Sequence, residues 1–179
     1  MLCNTGFFGI LASCLLMAMS ASAQEQSGLD IIAPQAFPNL IFKDDQGHTH
    51  TVQEEKSGLT DGLTIVHFWA TWCVPCALEL PQVDAIQGAY ADKGVKIIAI
   101  SLDGDNNMAK VKQFFAEHKI THLTPYLDIG TAAFRASKAP GLPTSYFLDT
   151  KGMKIAVAEG LMDWHNPAST KFIESHLTK

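Results

Sequence analysis

Leu63-Thr64-Ile65-Val66-His67-Phe68-Trp69-Ala70-Thr71-Trp72-Cys73-Val74-Pro75-Cys76-Ala77-Leu78-Glu79-Leu80-Pro81 is the stretch that decides how this chain folds. Residues Leu63 to Trp69 form a strongly apolar run, the pattern of a strand buried on both faces. From Pro75 to Tyr90 the apolar positions Leu80, Val83, Ile86 and Tyr90 recur at helical spacing, and Pro81 predicts a kink. A Cys-x-x-Cys therefore stands directly after a buried strand and at the start of a helix. That placement has a chemical use. The unpaired N–H groups and positive dipole end of a helix N-terminus stabilise a thiolate at Cys73. Cys76, one turn further in, is placed to attack a mixed disulfide formed by Cys73, and two intervening residues allow an internal disulfide to close. Pro75 sits where its missing N–H costs little, and Trp72 offers an aromatic cover beside the exposed sulfur. Two plainer readings stand beside this one. The pair could be a static disulfide, or half of a zinc site, although no second Cys-x-x-Cys or matching His pair is present.

Working outward, Phe37 to Val52 alternates weakly around Asp45-Gln46-Gly47, which predicts a β-hairpin. Residues 24 to 36 read as a polar, irregular tether. Val95 to Ile100 is a second buried strand. Met108, Val111, Phe115 and His118 suit one face of a helix, with Asp105 and Asn106 as capping candidates. A short strand is expected over Leu123 to Leu127 and a short helix over Thr131 to Ser137. Thr144 to Leu148 and Ile155 to Ala158 read as strands joined by a turn at Thr150-Lys151-Gly152. Asn166 opens a last helix with Pro167 in its first turn. Strands alternating with helices, then a hairpin and a closing helix, predict an α/β fold with a mixed sheet flanked by helices.

The chain has 179 residues, 47% hydrophobic and 17% charged, with a formal net charge of −5. This suits one globular domain and excludes a disordered or multi-pass membrane protein. An acidic balance does not attract phosphate backbones, so nucleic acid is not an expected partner. No charged side chain precedes Glu25. The apolar run from Phe7 to Met19, followed by Ala21-Ser22-Ala23, reads as a signal peptide over residues 1–23, with an uncleaved anchor as the alternative. Leu11-Ala12-Ser13-Cys14 resembles a lipoprotein box, but the apolar residues after Cys14 argue against it. Loss of the leader removes Cys3 and Cys14 and leaves a single cysteine pair in an oxidising compartment.

The segment from Phe68 to Pro81 resembles the active-site stretch of the TlpA/ResA-type thiol:disulfide oxidoreductases, exported members of the thioredoxin superfamily. Gly141-Leu142-Pro143-Thr144, and Gly160 with Asp163-Trp164, extend the resemblance over roughly residues 37–179. It implies a thioredoxin-like fold with an N-terminal β-hairpin and a central helix–strand insertion before Pro143. It implies that Cys73 and Cys76 form the redox-active disulfide. Pro143 would be cis and stand across from Cys73, crowding metal ions away, and the backbone of Leu142, with Trp72, would receive a substrate chain. Glu79, one turn past Cys76, matches a glutamate associated with proton transfer; the alternative is a solvated helix glutamate. His67 occupies the place where thioredoxin carries a buried aspartate, and either substitutes for that acid or fills space. His48 and His50 form a His-x-His pair that reads as exposed polar residues rather than metal ligands.

The resemblance further implies a periplasmic monomer that reduces protein disulfides. Its electrons would come from a membrane carrier of the DsbD/CcdA type, and it would serve cytochrome c maturation or copper-site assembly. No organic or metal cofactor is implied. A dithiol oxidant uses the same motif and remains the alternative. A Sco-like metal chaperone is a more distant one, because that family has a longer cysteine spacing and a distal histidine.

Overall fold

Eight strands form one mixed sheet in the order β1-β8-β7-β4-β5-β6-β2-β3. They are β1 (Asp30–Ala36), β2 (Ile41–Lys43), β3 (Thr49–Thr51), β4 (Leu63–Trp69), β5 (Val95–Ser101), β6 (Tyr126–Asp128), β7 (Thr144–Leu148) and β8 (Met153–Glu159). The helices are α1 (Val52–Glu55), α2 (Val74–Tyr90), α3 (Met108–His118), α4 (Ala132–Ser137) and α5 (Pro167–Glu174). This computed structural model describes residues 28–57 and 62–177. The leader over 1–23, with Cys3 and Cys14, lies outside the described residues, as do residues 24–27 of the tether. Among the described residues, no helix is long and apolar enough to cross a membrane.

Strand β4 is the centre of the sheet, parallel to β5 and antiparallel to β7. All seven of its residues are buried, because side chains alternate between two covered faces. Leu63, Ile65 and Trp69 pack with Leu80 and Val83 of α2, Val111 and Phe115 of α3, and Phe172 and Ile173 of α5. Val66 and Phe68 pack on the other face with Leu40, Phe42, Tyr146 and Ala133 of α4. Burying a side chain of this kind contributes roughly 1.5–3 kcal/mol, so β4 anchors both layers at once. The C-terminal end of this strand carries the cysteines.

The hairpin expected around Asp45-Gln46-Gly47 is β2–β3, paired Ile41 to Thr51 and Lys43 to Thr49. It joins the sheet through β6, against which β2 runs antiparallel. The helix–strand unit before Pro143 is α3 with β6, and β6 extends the parallel part of the sheet beyond β5.

Three expectations need correction. The tether over residues 24–36 is in part a strand: β1 pairs antiparallel with β8, Asp30 opposite Val157 and Ala36 opposite Met153. Nearly all of its side chains are exposed, so no apolar alternation announces it. Backbone pairing with the open edge of β8 makes the strand. The strand expected over 123–127 shifts to Tyr126–Asp128. The carboxylate of Asp84 on α2 accepts the N–H groups of Thr121, His122 and Leu123 at 2.7–3.2 Å, which holds that segment out of a ladder. The N-cap of α3 is Asn107, not Asp105 or Asn106, and its amide donates to the Asp103 carbonyl. The four-residue helix α1 has a local cause in Thr51-x-x-Glu54, a capping box in which each side chain serves the other's backbone N–H.

Candidate active site

Cys73 is the N-cap of α2, with an extended backbone at φ −89° and ψ 102°. Its Sγ accepts the backbone N–H of Cys76 at 3.3 Å and is bonded to the Cys76 sulfur. The first turn of the helix therefore aims a donor at Cys73, the arrangement that favours negative charge there. The two residues differ in access: Cys73 retains 6% of its surface, whereas Cys76 retains none. Trp72 and Val74, on either side of Cys73, and Leu78 one turn on are exposed.

The loop from β4 into α2 is held by Asp103. One carboxylate oxygen accepts the Thr71 N–H at 2.8 Å and the Ser101 hydroxyl at 2.6 Å. The other accepts the Thr71 hydroxyl, and Lys110 at 3.2 Å. Burial pushes the Asp103 carboxyl up, but the bonds from Ser101, Thr71 and Lys110 outweigh it and hold it below the usual carboxylate range. Replacing Asp103 with alanine removes the acceptor of the Thr71 N–H, of the Thr71 and Ser101 hydroxyls and of Lys110, while Ser101 keeps the bond it accepts from the backbone N–H at 103. Unfolding by denaturant at pH 7 is expected to show a loss of about 2–3 kcal/mol. A loss below about 0.5 kcal/mol would mean that the loop holds itself.

The peptide bond between Leu142 and Pro143 is cis. Thr144 pairs with Phe68, so Pro143 lies at the end of the sheet from which Cys73 departs. The Pro143 carbonyl accepts the Gly160 N–H at 2.9 Å, and the Thr144 hydroxyl donates to Gly141. These bonds tie the loop at 141–144 to the turn after β8. Leu142 is half-buried, and Leu161 on the same turn is exposed.

Two buried titratable groups meet Trp164, a member of the core cluster that contains both cysteines. Glu79 is 1% exposed, which excludes the solvated-glutamate alternative. Its Oε1 accepts the indole N–H of Trp164 at 2.5 Å, and its Oε2 has no partner. Burial pushes its carboxyl up to about 7, against the pull of Trp164 and the Met162 backbone. His67 is fully buried, with Nδ1 2.8 Å from the Ser145 hydroxyl and Nε2 unpartnered. Burial pulls it down to about 3, so it is neutral near pH 7. Both groups touch Trp164, whose ring meets the His67 ring edge-on at 6.1 Å. Burial thus acts oppositely on the two groups, favouring the protonated carboxyl of Glu79, one helical turn past Cys76, and the neutral ring of His67.

His48 and His50 are far from this group in the fold, on the β2–β3 hairpin. His48 is exposed, as expected, but His50 is half-buried between Asp44 and Glu55, and Glu55 also binds Lys96. Among the described residues, no cluster of three or more His, Cys, Asp or Glu is arranged to hold a metal ion.

Residues 33–165 match the Redoxin family model. The chain belongs to the Redoxin family. It is 28% identical over 153 residues to the thiol-disulfide oxidoreductase ResA of Oceanobacillus iheyensis, across 86% of this chain and 78% of that protein. It is 33% identical over 108 residues to the sporulation thiol-disulfide oxidoreductase A of Bacillus subtilis, across 56% of this chain and 65% of that protein. The crystal structure of StoA from Bacillus subtilis superimposes with a TM-score of 0.55 at 26% identity, covering 79% of this chain and 98% of that one. A thioredoxin-like fold and a ResA/StoA-type thiol-disulfide oxidoreductase activity on protein thiols follow.

Two residues of this site are not singled out by the sequence. Trp164 belongs to a matching motif without a role, and Asp103 lies unremarked in the stretch before a helix. The legible signal for Asp103 is its position: it follows the end of β5, beside the strand end that carries the cysteines.

Proposed function

We propose that this member of the family is an exported reductant of protein disulfides. Cys73 attacks a substrate disulfide, the substrate's first sulfur leaves, and Cys76 then displaces the second sulfur from Cys73. Two electrons pass to the substrate, and the Cys73–Cys76 disulfide remains. The observation that carries the reading is the unequal access of the two bonded cysteines at the start of α2, of which only Cys73 keeps any exposed surface. Trp72 and the Leu142 backbone receive the substrate chain, and Pro143 lines the site beside Cys73. Glu79 takes the proton from Cys76.

Export is supported by the apolar leader and by a single cysteine pair in the remaining chain. The reductant direction rests on the family resemblance. In that direction a membrane carrier of the DsbD/CcdA type returns electrons to Cys73–Cys76, and apocytochrome c or a copper-site assembly protein is the substrate class. The protein acts as a monomer.

Redox equilibration of the purified protein with glutathione tests the direction. A reductant is expected to have a potential more negative than about −220 mV, and a value near about −120 mV would make it an oxidant.

A further inference from the structure

Within the exchange reaction proposed above, the turn that precedes α5 has an unassigned part. Asp163-Trp164-His165-Asn166 is a tight turn: the Asn166 N–H donates to the Asp163 carbonyl at 3.2 Å, and the Asn166 side chain caps α5 through Ala168. This rigid corner drives the indole of Trp164 into the core, where it is completely buried in the same cluster as Cys73 and Cys76. Phe147 packs on it at 5.9 Å and His67 meets it edge-on. The ring therefore has little freedom to turn, and its one polar atom points at Glu79.

We infer that Trp164 is a positioning residue for proton transfer: its indole N–H holds Oε1 of Glu79, leaving Oε2 as the oxygen that takes the proton of Cys76. A tryptophan N–H only donates, so the oxygen it binds stays an acceptor in both protonation states of the carboxyl. Oε2 is buried and unpartnered in the disulfide form, the condition of an atom with an unused hydrogen-bonding role. Glu79 follows Cys76 by three residues, and side chains so spaced on a helix are neighbours, roughly 5–6 Å apart at Cβ.

Atoms and electrons balance in this step. The Cys76 Sγ–H bond breaks and its proton moves to Oε2. The Cys76 thiolate displaces the substrate sulfur from Cys73, forming the Cys73–Cys76 bond. The substrate sulfur departs as a thiolate and takes a proton from water, and the proton on Oε2 is returned when the pair is next reduced.

The titratable groups around Glu79 are few. From β4 there is His67, neutral; from α2 itself, Cys73 and Cys76. The turn carries Asp163 and His165, both exposed, with His165 directed to Gln82. Neither His67, Asp163 nor His165 shifts the Glu79 carboxyl by its charge, and Cys73 and Cys76 carry no charge in the disulfide form. Besides burial, the indole N–H of Trp164 and the backbone of Met162 are what act on it, and of these only Trp164 is a side chain.

Trp164→Phe keeps an aromatic ring and deletes the donor. A carboxylate deprived of a donor is harder to ionise. The pH midpoint for release of a Cys73 mixed disulfide is expected to rise by about one unit, with a roughly 3- to 10-fold slower release at pH 7 that is regained at higher pH. In a Glu79→Gln background the same substitution should move nothing further. A second measurement needs no substitution at Trp164. In the wild-type disulfide form, the indole ¹⁵N–¹H resonance of Trp164 should titrate with a midpoint near 7, and should stop doing so in Glu79→Gln. An unchanged midpoint in folded Trp164→Phe, or an indole resonance that stays flat between about pH 5 and 9, overturns the assignment. Failure of Cys76→Ala to trap any mixed disulfide would instead strike the exchange reaction itself, so the two failures are distinguishable.

Discussion

Replacing Cys73 with serine is expected to abolish disulfide exchange, a loss on the order of 10³-fold or more, because the hydroxyl at neutral pH is a poor nucleophile. Replacing Cys76 with alanine is expected to do something different. The first attack survives, the second cannot occur, and a mixed disulfide between Cys73 and the substrate accumulates. The asymmetry follows from the burial of the pair, with Cys76 sealed inside α2 and Cys73 at the rim. It also follows from the donor that the Cys76 N–H aims at the Cys73 sulfur. Alkylation of the reduced protein near neutral pH should label Cys73 and leave Cys76 largely protected. Equal labelling, or faster labelling of Cys76, would reverse the assignment of attacker and resolver. The trapped species, separated under non-reducing conditions and analysed by mass spectrometry, would also identify the substrate.

Glu79→Gln is expected to make the protein more stable and less active. The carboxyl binds its proton more tightly in the folded state, about 7, than in the unfolded chain, near 4.5. Between those values the native state holds more protons than the unfolded state, so this group's contribution to stability falls as pH rises from 4.5 to 7. The accumulated cost is about 3 kcal/mol at pH 8. A glutamine at this position carries no charge, so the variant should gain on the order of 2 kcal/mol over wild type at pH 8 and nothing at pH 4. His67 works in the opposite sense. Its folded value of about 3 lies below the usual 6.5, so stability falls as pH drops through that window. Comparing the two proteins at each pH cancels the histidine, which both contain. Denaturant unfolding between about pH 4 and 8 measures the difference. A difference independent of pH would mean that Glu79 is not the buried carboxyl described above. The same variant should slow Cys76 release and flatten its pH profile, whereas His67→Ala, if folded, should leave that profile in place. A large response at His67 with none at Glu79 would make the histidine the proton acceptor.

Much of this is legible along the chain. Strand β4 announces itself because both of its faces are covered, so every position has to be compatible with burial. The cysteine spacing, the helix start and the Asn166-Pro167 cap are local features, set by neighbours within a few residues, and a one-dimensional reading reaches them. Strand β1 is not legible, because what makes it a strand is the edge of β8, more than a hundred residues away in sequence. The same holds for the segment at 121–123, which is shaped by a single carboxylate on α2.

The chain by itself determined where the cysteines sit, that a strand feeds them and a helix follows, and that Glu79 lies one turn beyond Cys76. These are consequences of residue type and helical spacing. Tertiary structure alone decided what Glu79 and His67 are. A glutamate on a helix is acidic in the ordinary way unless its face is buried, and burial depends on what packs over it. Here Trp164 and the turn after β8 seal Glu79 from water, and the indole N–H and the Met162 backbone are the groups that face its carboxyl in place of water. The same core strips His67 of its charge. Desolvation is a property of the surroundings rather than of the residue, and those surroundings come together only when Trp164, 85 positions further along the chain, folds back over α2.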